Sequence, residues 1–131
     1  MRSIAIISED KVGLLADISY VLAKSKINID SINVAVVSKK AVICMEVSDP
    51  EKSKKVLTAA GYEIELHSLI VKLNLAEVGG LLEKLAHDGV TVETSKTIAK
   101  DDKHALVSLK VDKPKRASTI LAEKLVTNEA Y

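Results

Sequence analysis

Apolar positions recur with a period of two, then with a helical period, then with a period of two again, and the chain runs through this cycle twice. Ile4 and Ile6 open an alternation that gives way between Val12 and Lys24 to helical spacing. Leu14, Leu15, Ile18, Val21 and Leu22 share one helical face, opposite Asp17, Ser19 and Lys24. Ser8-Glu9-Asp10-Lys11-Val12-Gly13 joins strand to helix, a polar loop that ends in glycine. Beyond the helix, Ile27 and Ile29 share one parity while Ile32, Val34 and Val36 take the other, so a β-bulge is predicted near Asp30 and Ser31. Ser38-Lys39-Lys40 turns the chain into a hairpin partner, Ala41 to Val47. Asp49-Pro50 then supplies an N-cap and a first-turn proline, Gly61 stops that helix, and Tyr62 to Leu66 makes a fourth short strand.

The second half repeats the order of strand, helix, strand, strand, helix. Leu69, Val71, Leu73 and Leu75 alternate with Ile70, Lys72 and Asn74, and Ala76-Glu77-Val78-Gly79-Gly80 leads into Leu81, Leu82, Leu85 and Ala86. Gly89 closes that helix, Val90 to Glu93 starts a strand, Asp101-Asp102 makes a turn, and Ala105, Val107, Leu109 and Val111 line one face of the next strand. Asp112 and Pro114 open the last helix, with Ala117, Ile120, Leu121 and Leu125 on its apolar face. The copy is unequal: the second glycine stands closer to the following strand, which predicts a first helix shorter by about a turn. Thr127 to Tyr131 is poor material for a fourth strand, so that strand is expected to be short or missing. The two units divide the chain at 1–66 and 67–131, and a unit of about 60 residues buries too little alone, so one compact pair is expected.

Charge adds mainly exclusions. Lys and Arg total 19 against 18 Asp and Glu, interspersed rather than blocked, which gives no electrostatic case for nucleic acid or an acidic membrane surface. Aromatic residues are 2% of the chain, so base stacking has no platform and the core falls to Ile, Val, Leu and Ala. The uncharged stretch Ser3 to Ser8 is too short for a signal-peptide core and nothing later reaches a membrane span. A lone Cys44 agrees with a reducing cytoplasm, the expected location. His67, His87, His104 and Cys44 have no ligand spacing, and no Walker loop, nucleophile elbow or paired carboxylates occur, so neither metal, cofactor nor catalysis is expected. The basic positions Lys52, Lys54, Lys55, Lys113, Lys115 and Arg116 are read as solvated helix faces.

Ile4 to Gly13 with Leu14 and Leu15, followed by Lys26-Ile27-Asn28-Ile29, resembles the ACT domain, a ferredoxin-like βαββαβ module best known from amino-acid-sensing regulatory regions of metabolic enzymes. The likeness runs from Ser3 to about Leu66 and more weakly from Ser68 to about Val126. It implies an α+β chain of two ferredoxin-like βαββαβ repeats, with antiparallel sheets and helices on one face. It also implies a small effector, an amino acid, held between modules by the first loop of one and the second-strand start of the other, and a regulated enzyme or regulator as partner.

Carried onto this sequence, one site combines Asp10, Lys11, Val12, Gly13 and Leu14 with Thr91, the counterpart of Asn28. The other combines Glu77, Val78, Gly79 and Gly80 with Asn28 and Ile29. The chemistry is sensible: an α-carboxylate accepts N–H groups at a helix start, which Val12, Gly13 and Leu14 supply, and an α-ammonium donates to Asp10 and the Asn28 carbonyl oxygen. Thr91 lacks the amide, so one working site is expected rather than two. The same residues have structural roles as alternatives: a left-handed backbone angle at Gly13, a cap at Asp10, a self-bonded bulge at Asn28. An assembly or partner-binding module without ligand is the alternative function. Val42, Cys44, Ile70 and Leu106 point away from the helices, and these faces suggest a homo-oligomer.

Overall fold

The computed structural model describes residues 2–126, so the stretch Thr127 to Tyr131 lies outside the described residues. The first repeat runs β1 (Arg2–Glu9), α1 (Leu14–Lys24), β2 (Ile29–Val37), β3 (Lys40–Val47), α2 (Pro50–Ala59) and β4 (Glu63–Glu65). The second runs β5 (Leu69–Asn74), a 3-10 turn (Leu75–Glu77), α3 (Val78–His87), β6 (Val92–Lys100), β7 (His104–Val111) and α4 (Pro114–Leu121). Both sheets are antiparallel, ordered β2-β3-β1-β4 and β5-β7-β6. The β2–β3 register slips between Ile29 and Ser31, the bulge required by the parity change.

The repeat extends to single bonds. Asn28 donates its N–H to Ser48 Oγ at 3.0 Å and accepts from the Ser48 N–H at 3.0 Å. Thr91 donates to Asp112 Oδ1 at 2.8 Å and accepts from the Asp112 N–H at 3.1 Å, which makes it the structural counterpart of Asn28. Asp112 is thereby committed to Thr91, and α4 is capped by Lys113 with no side-chain bond, unlike α2, where Asp49 accepts from the Lys52 N–H. The last helix carries another duty as well: Arg116 Nε donates to the Asp88 carbonyl and Lys113 Nζ to that of Gly89, placing cations on the C-terminus of α3.

Each sheet packs helices on one face, Ile4, Ile6, Ile43 and Met45 against Leu14, Ile18, Leu22 and Leu57 in the first repeat. The opposite faces meet each other. Ala5, Ile7, Val42 and Cys44 of one sheet form a single buried cluster with Ile70, Leu106 and Val126 of the other repeat, giving a helix–sheet–sheet–helix sandwich. The apolar faces on which self-association was expected to rest are therefore consumed inside the chain. A local pseudo-twofold relates the halves: β4 borders the second sheet through Glu63–Lys96 (3.5 Å) and Glu65–Ser108 (2.8 Å). At the other side, β2 borders the end of the second repeat through Asn33 Nδ2 and the Val126 carbonyl (3.5 Å).

Residues 122–126 stand where β4 stands in the first repeat. They contribute one bridge, Val71 to Leu125, flanked by Lys72 N–H to Lys124 O (3.0 Å) and Val126 N–H to Ile70 O (2.8 Å). They cover part of the β5 edge that the sequence left open.

Candidate functional site

The two first loops, expected to be versions of one anion cradle, are built differently. Gly13 is the N-cap of α1 with φ 79°, a left-handed angle that a Cβ disfavours. Asp10 donates its N–H to Lys39 O at 2.8 Å, and Lys11 places its ammonium 5.6 Å from the centre of the Tyr62 ring. The Tyr62 hydroxyl donates to the Asp17 carboxylate, a bond that pushes the phenol up to about 12. The Leu14 N–H, one of three expected to face a carboxylate, turns instead to Lys11 O at 3.3 Å, and the Leu14 side chain is buried in the first core. Asp10, Lys11, Val12 and Gly13 are exposed.

In the second loop Gly79 and Gly80 are not loop residues; both lie in the first turn of α3. The entry is made by the 3-10 turn, with Asn74 and Glu77 as a reciprocal capping box in which Glu77 Oε1 accepts the Asn74 N–H at 3.1 Å. No glycine-lined cradle forms there, because glycines within helical backbone give their N–H groups the orientation of any helix start. α3 is one residue shorter than α1, and the turn ahead of it supplies the rest of the helical run.

Asn28 and the first loop sit at opposite ends of their own sheet, Asn28 beside Ser48 and Asp10 beside Lys39, separated by the eight residues of β3, about 26 Å at roughly 3.3 Å each. Ile29 and Val78 pack against the cores rather than facing open space. Thr91 borders a groove of about 430 Å³ within the second repeat, with Leu82, Ala86, Val90, Val92 and Ser95. Nothing from Asp10 to Gly13 lines that groove, so the pairing expected for Thr91 is not made there.

Among the expected residues, Glu77 lines a cleft between the two repeats. This cleft has a volume of about 470 Å³, and its first wall is Asn33, Val34 and Ala35 of β2. The opposite wall is Lys72, Asn74, Glu77 and His104, and residues 123–126 form the third side. The first loop of one module therefore meets the second strand of the other, but at Asn33 to Ala35, five residues past Asn28. Glu77 is ion-paired with Lys124, Nζ standing 3.0 Å from Oε2. That bond, ahead of the Asn74 N–H, holds its carboxyl below the usual range. Both signs of charge line this cleft, with Lys72 and Lys124 near Glu77 and Glu123, and Asn33 and Asn74 add amide donors and acceptors. Such a lining suits a small zwitterion.

Periodicity could not reveal this cleft, because Lys72, His104 and Lys124 are ordinary surface positions in sequence and meet only when the sheets stack. Among the described residues no group of three or more His, Cys, Asp and Glu is placed to hold a metal, and no helix is long and apolar enough to cross a membrane.

Residues 2–62 match the family model of the ACT domain. A search of curated proteins found no match. Among solved structures, a protein from Bacteroides thetaiotaomicron is 23% identical, covering 94% of this chain and 89% of its own, with a TM-score of 0.50. The ligand-free regulatory subunit of aspartate kinase from Thermus thermophilus is 19% identical, covering 92% and 90%, with a TM-score of 0.46.

Proposed function

We propose, from the match of residues 2–62 to the ACT-domain family model and the recurrence of the same fold in the second repeat, that this chain is a non-catalytic regulator binding a small effector, an amino acid, between its two modules. The observation that carries the reading is the mixed-charge cleft between β2 and the Asn74–Glu77 turn. An α-carboxylate is drawn to Lys72 and Lys124, and an α-ammonium to Glu77 and Glu123. Charge-assisted bonds of about 1.5 to 3 kcal/mol each place the affinity in the micromolar to millimolar range. The loop Asp10 to Gly13, facing the Thr91 or Asn28 of another chain, is the second place where such a ligand is proposed to bind. Binding signals to a regulated enzyme or regulator in the cytoplasm by stabilising the packing that the ligand favours.

A thermal-shift screen of the twenty amino acids tests the reading. A ligand at a hundredfold excess over its Kd adds about 2.7 kcal/mol, which for 131 residues raises the midpoint by roughly 10 °C. Loss of that rise in Lys72→Ala assigns the effector to the cleft. Loss in Gly13→Leu with Lys72→Ala unaffected moves it to the first loop. If no amino acid at millimolar concentration shifts the midpoint, the sensor reading fails.

Assembly without ligand is favoured by one feature. Strand β2 is an edge strand whose Ile32 and Val34 are 42% and 49% exposed, with Val36 beside them. Homo-oligomer formation is proposed to use this edge, now that the inter-sheet faces are occupied. A monomer mass by light scattering at micromolar concentration removes that proposal.

A further inference from the structure

Residues 122–126 close one side of the inter-repeat cleft, and they are held more weakly than their counterpart in the first repeat. Strand β4 keeps three registered pairs with β1, whereas 122–126 keep a single bridge with β5. Two apolar anchors seat the segment: Leu125 packs on the second core and Val126 enters the cluster between the sheets. Two side-chain ties hold it: Lys124 to Glu77, at 3.0 and 3.3 Å with both side chains about one-third exposed, and Asn33 Nδ2 to the Val126 carbonyl at 3.5 Å. Glu77 is also the partner of the Asn74 N–H, so one carboxylate joins the start of α3 to the end of the described chain.

We infer that residues 122–126 form an effector-responsive strap, docked on β5 when the cleft is filled and prone to release when it is empty. The inference rests on the binding reading above. Four of the cleft's lining residues, 123 to 126, belong to the strap, so the complete cleft exists only while the strap is docked. A ligand that touches both walls binds the docked state better, and by linkage it shifts the strap toward docking. Short edge segments with few backbone bonds open at the low end of the local stability range, which leaves room for such a shift. Release bares the backbone of Ile70 and Lys72 on the β5 edge, the point at which effector occupancy becomes readable from outside.

Amide hydrogen exchange on the full chain tests this, alone and in a mixture of the twenty amino acids. The reporters are the Lys72 and Val126 N–H groups, both bonded across the strap. With one component at about ten times its Kd, their exchange is expected to slow about 10-fold. Glu77→Gln keeps an oxygen for the Asn74 N–H but loses the ion pair, and it is expected to speed both reporters in the absence of ligand; Lys124→Ala is expected to do the same. Protection of Asn33 to Ala35 by the mixture, with Lys72 and Val126 unchanged, overturns the strap while leaving effector binding intact. No change at any amide overturns the binding reading and the strap with it.

Discussion

Replacing Leu106 by alanine asks whether the two sheets truly face each other. Leu106 lies in the middle of β7 on the face away from the helices and has no exposed surface. On an uncovered sheet this side chain would stand in water and its truncation would cost little. In the stacked arrangement the change removes three carbons from a closed interior, about 2.4 kcal/mol at roughly 0.8 per carbon, and the cavity left behind brings the total to about 2–5 kcal/mol. For 131 residues, with about 2.1 cal/mol/K of unfolding entropy per residue, that is a fall in Tm of roughly 7–18 °C. Urea denaturation gives the free energy and a thermal scan the midpoint. Combining Leu106→Ala with Val42→Ala, a member of the same cluster from the first repeat, should give a coupling of about 0.5–3 kcal/mol. A loss under about 1 kcal/mol for the single variant, with strict additivity in the pair, would refute the stacking, and the cleft would lose its second wall.

Two other outcomes follow from single residues. Cys44 is fully buried between the sheets and burial pushes its thiol up from 9.0 to about 12, so iodoacetamide should leave it unmodified in the native protein at mildly alkaline pH and alkylate it after denaturation. The raised value means that burial of the neutral thiol stabilises the fold fully below pH 9, an advantage lost as pH climbs toward 12; native-state labelling at the rate of a free thiol would contradict the burial. Gly13→Ala meets no atom within 4 Å but must hold φ 79°, which is expected to cost about 1–2 kcal/mol in urea denaturation. A neutral result would mean that the loop relaxes out of the left-handed angle.

Much of the fold was legible in the sequence because its signals are local. The Asp49-Pro50 cap, the stop at Gly61, the parity change across Asp30 and the left-handed Gly13 each depend on a few neighbouring residues, and each takes the form its chemistry dictates. The second loop departs from its local signal for a related reason: Gly79-Gly80 resembles a loop signal, yet the Asn74–Glu77 capping box starts the helix earlier and draws both glycines into it. The strand β3, buried on both faces, could be seen to be apolar on both parities, but not what covered the second one.

The sequence by itself determined a βαββα order written twice, the parity of each strand, and the division of Leu, Ile and Val between helix-facing and outward positions, because hydrophobic period and turn chemistry act over a few residues. Only the tertiary structure decided that the outward faces close on each other rather than on a second molecule, since that choice depends on the summed burial of Ala5, Val42, Cys44, Ile70 and Leu106 across the chain. The same stacking brings Lys72, Glu77 and Lys124, distant in sequence, to share one cleft with Asn33.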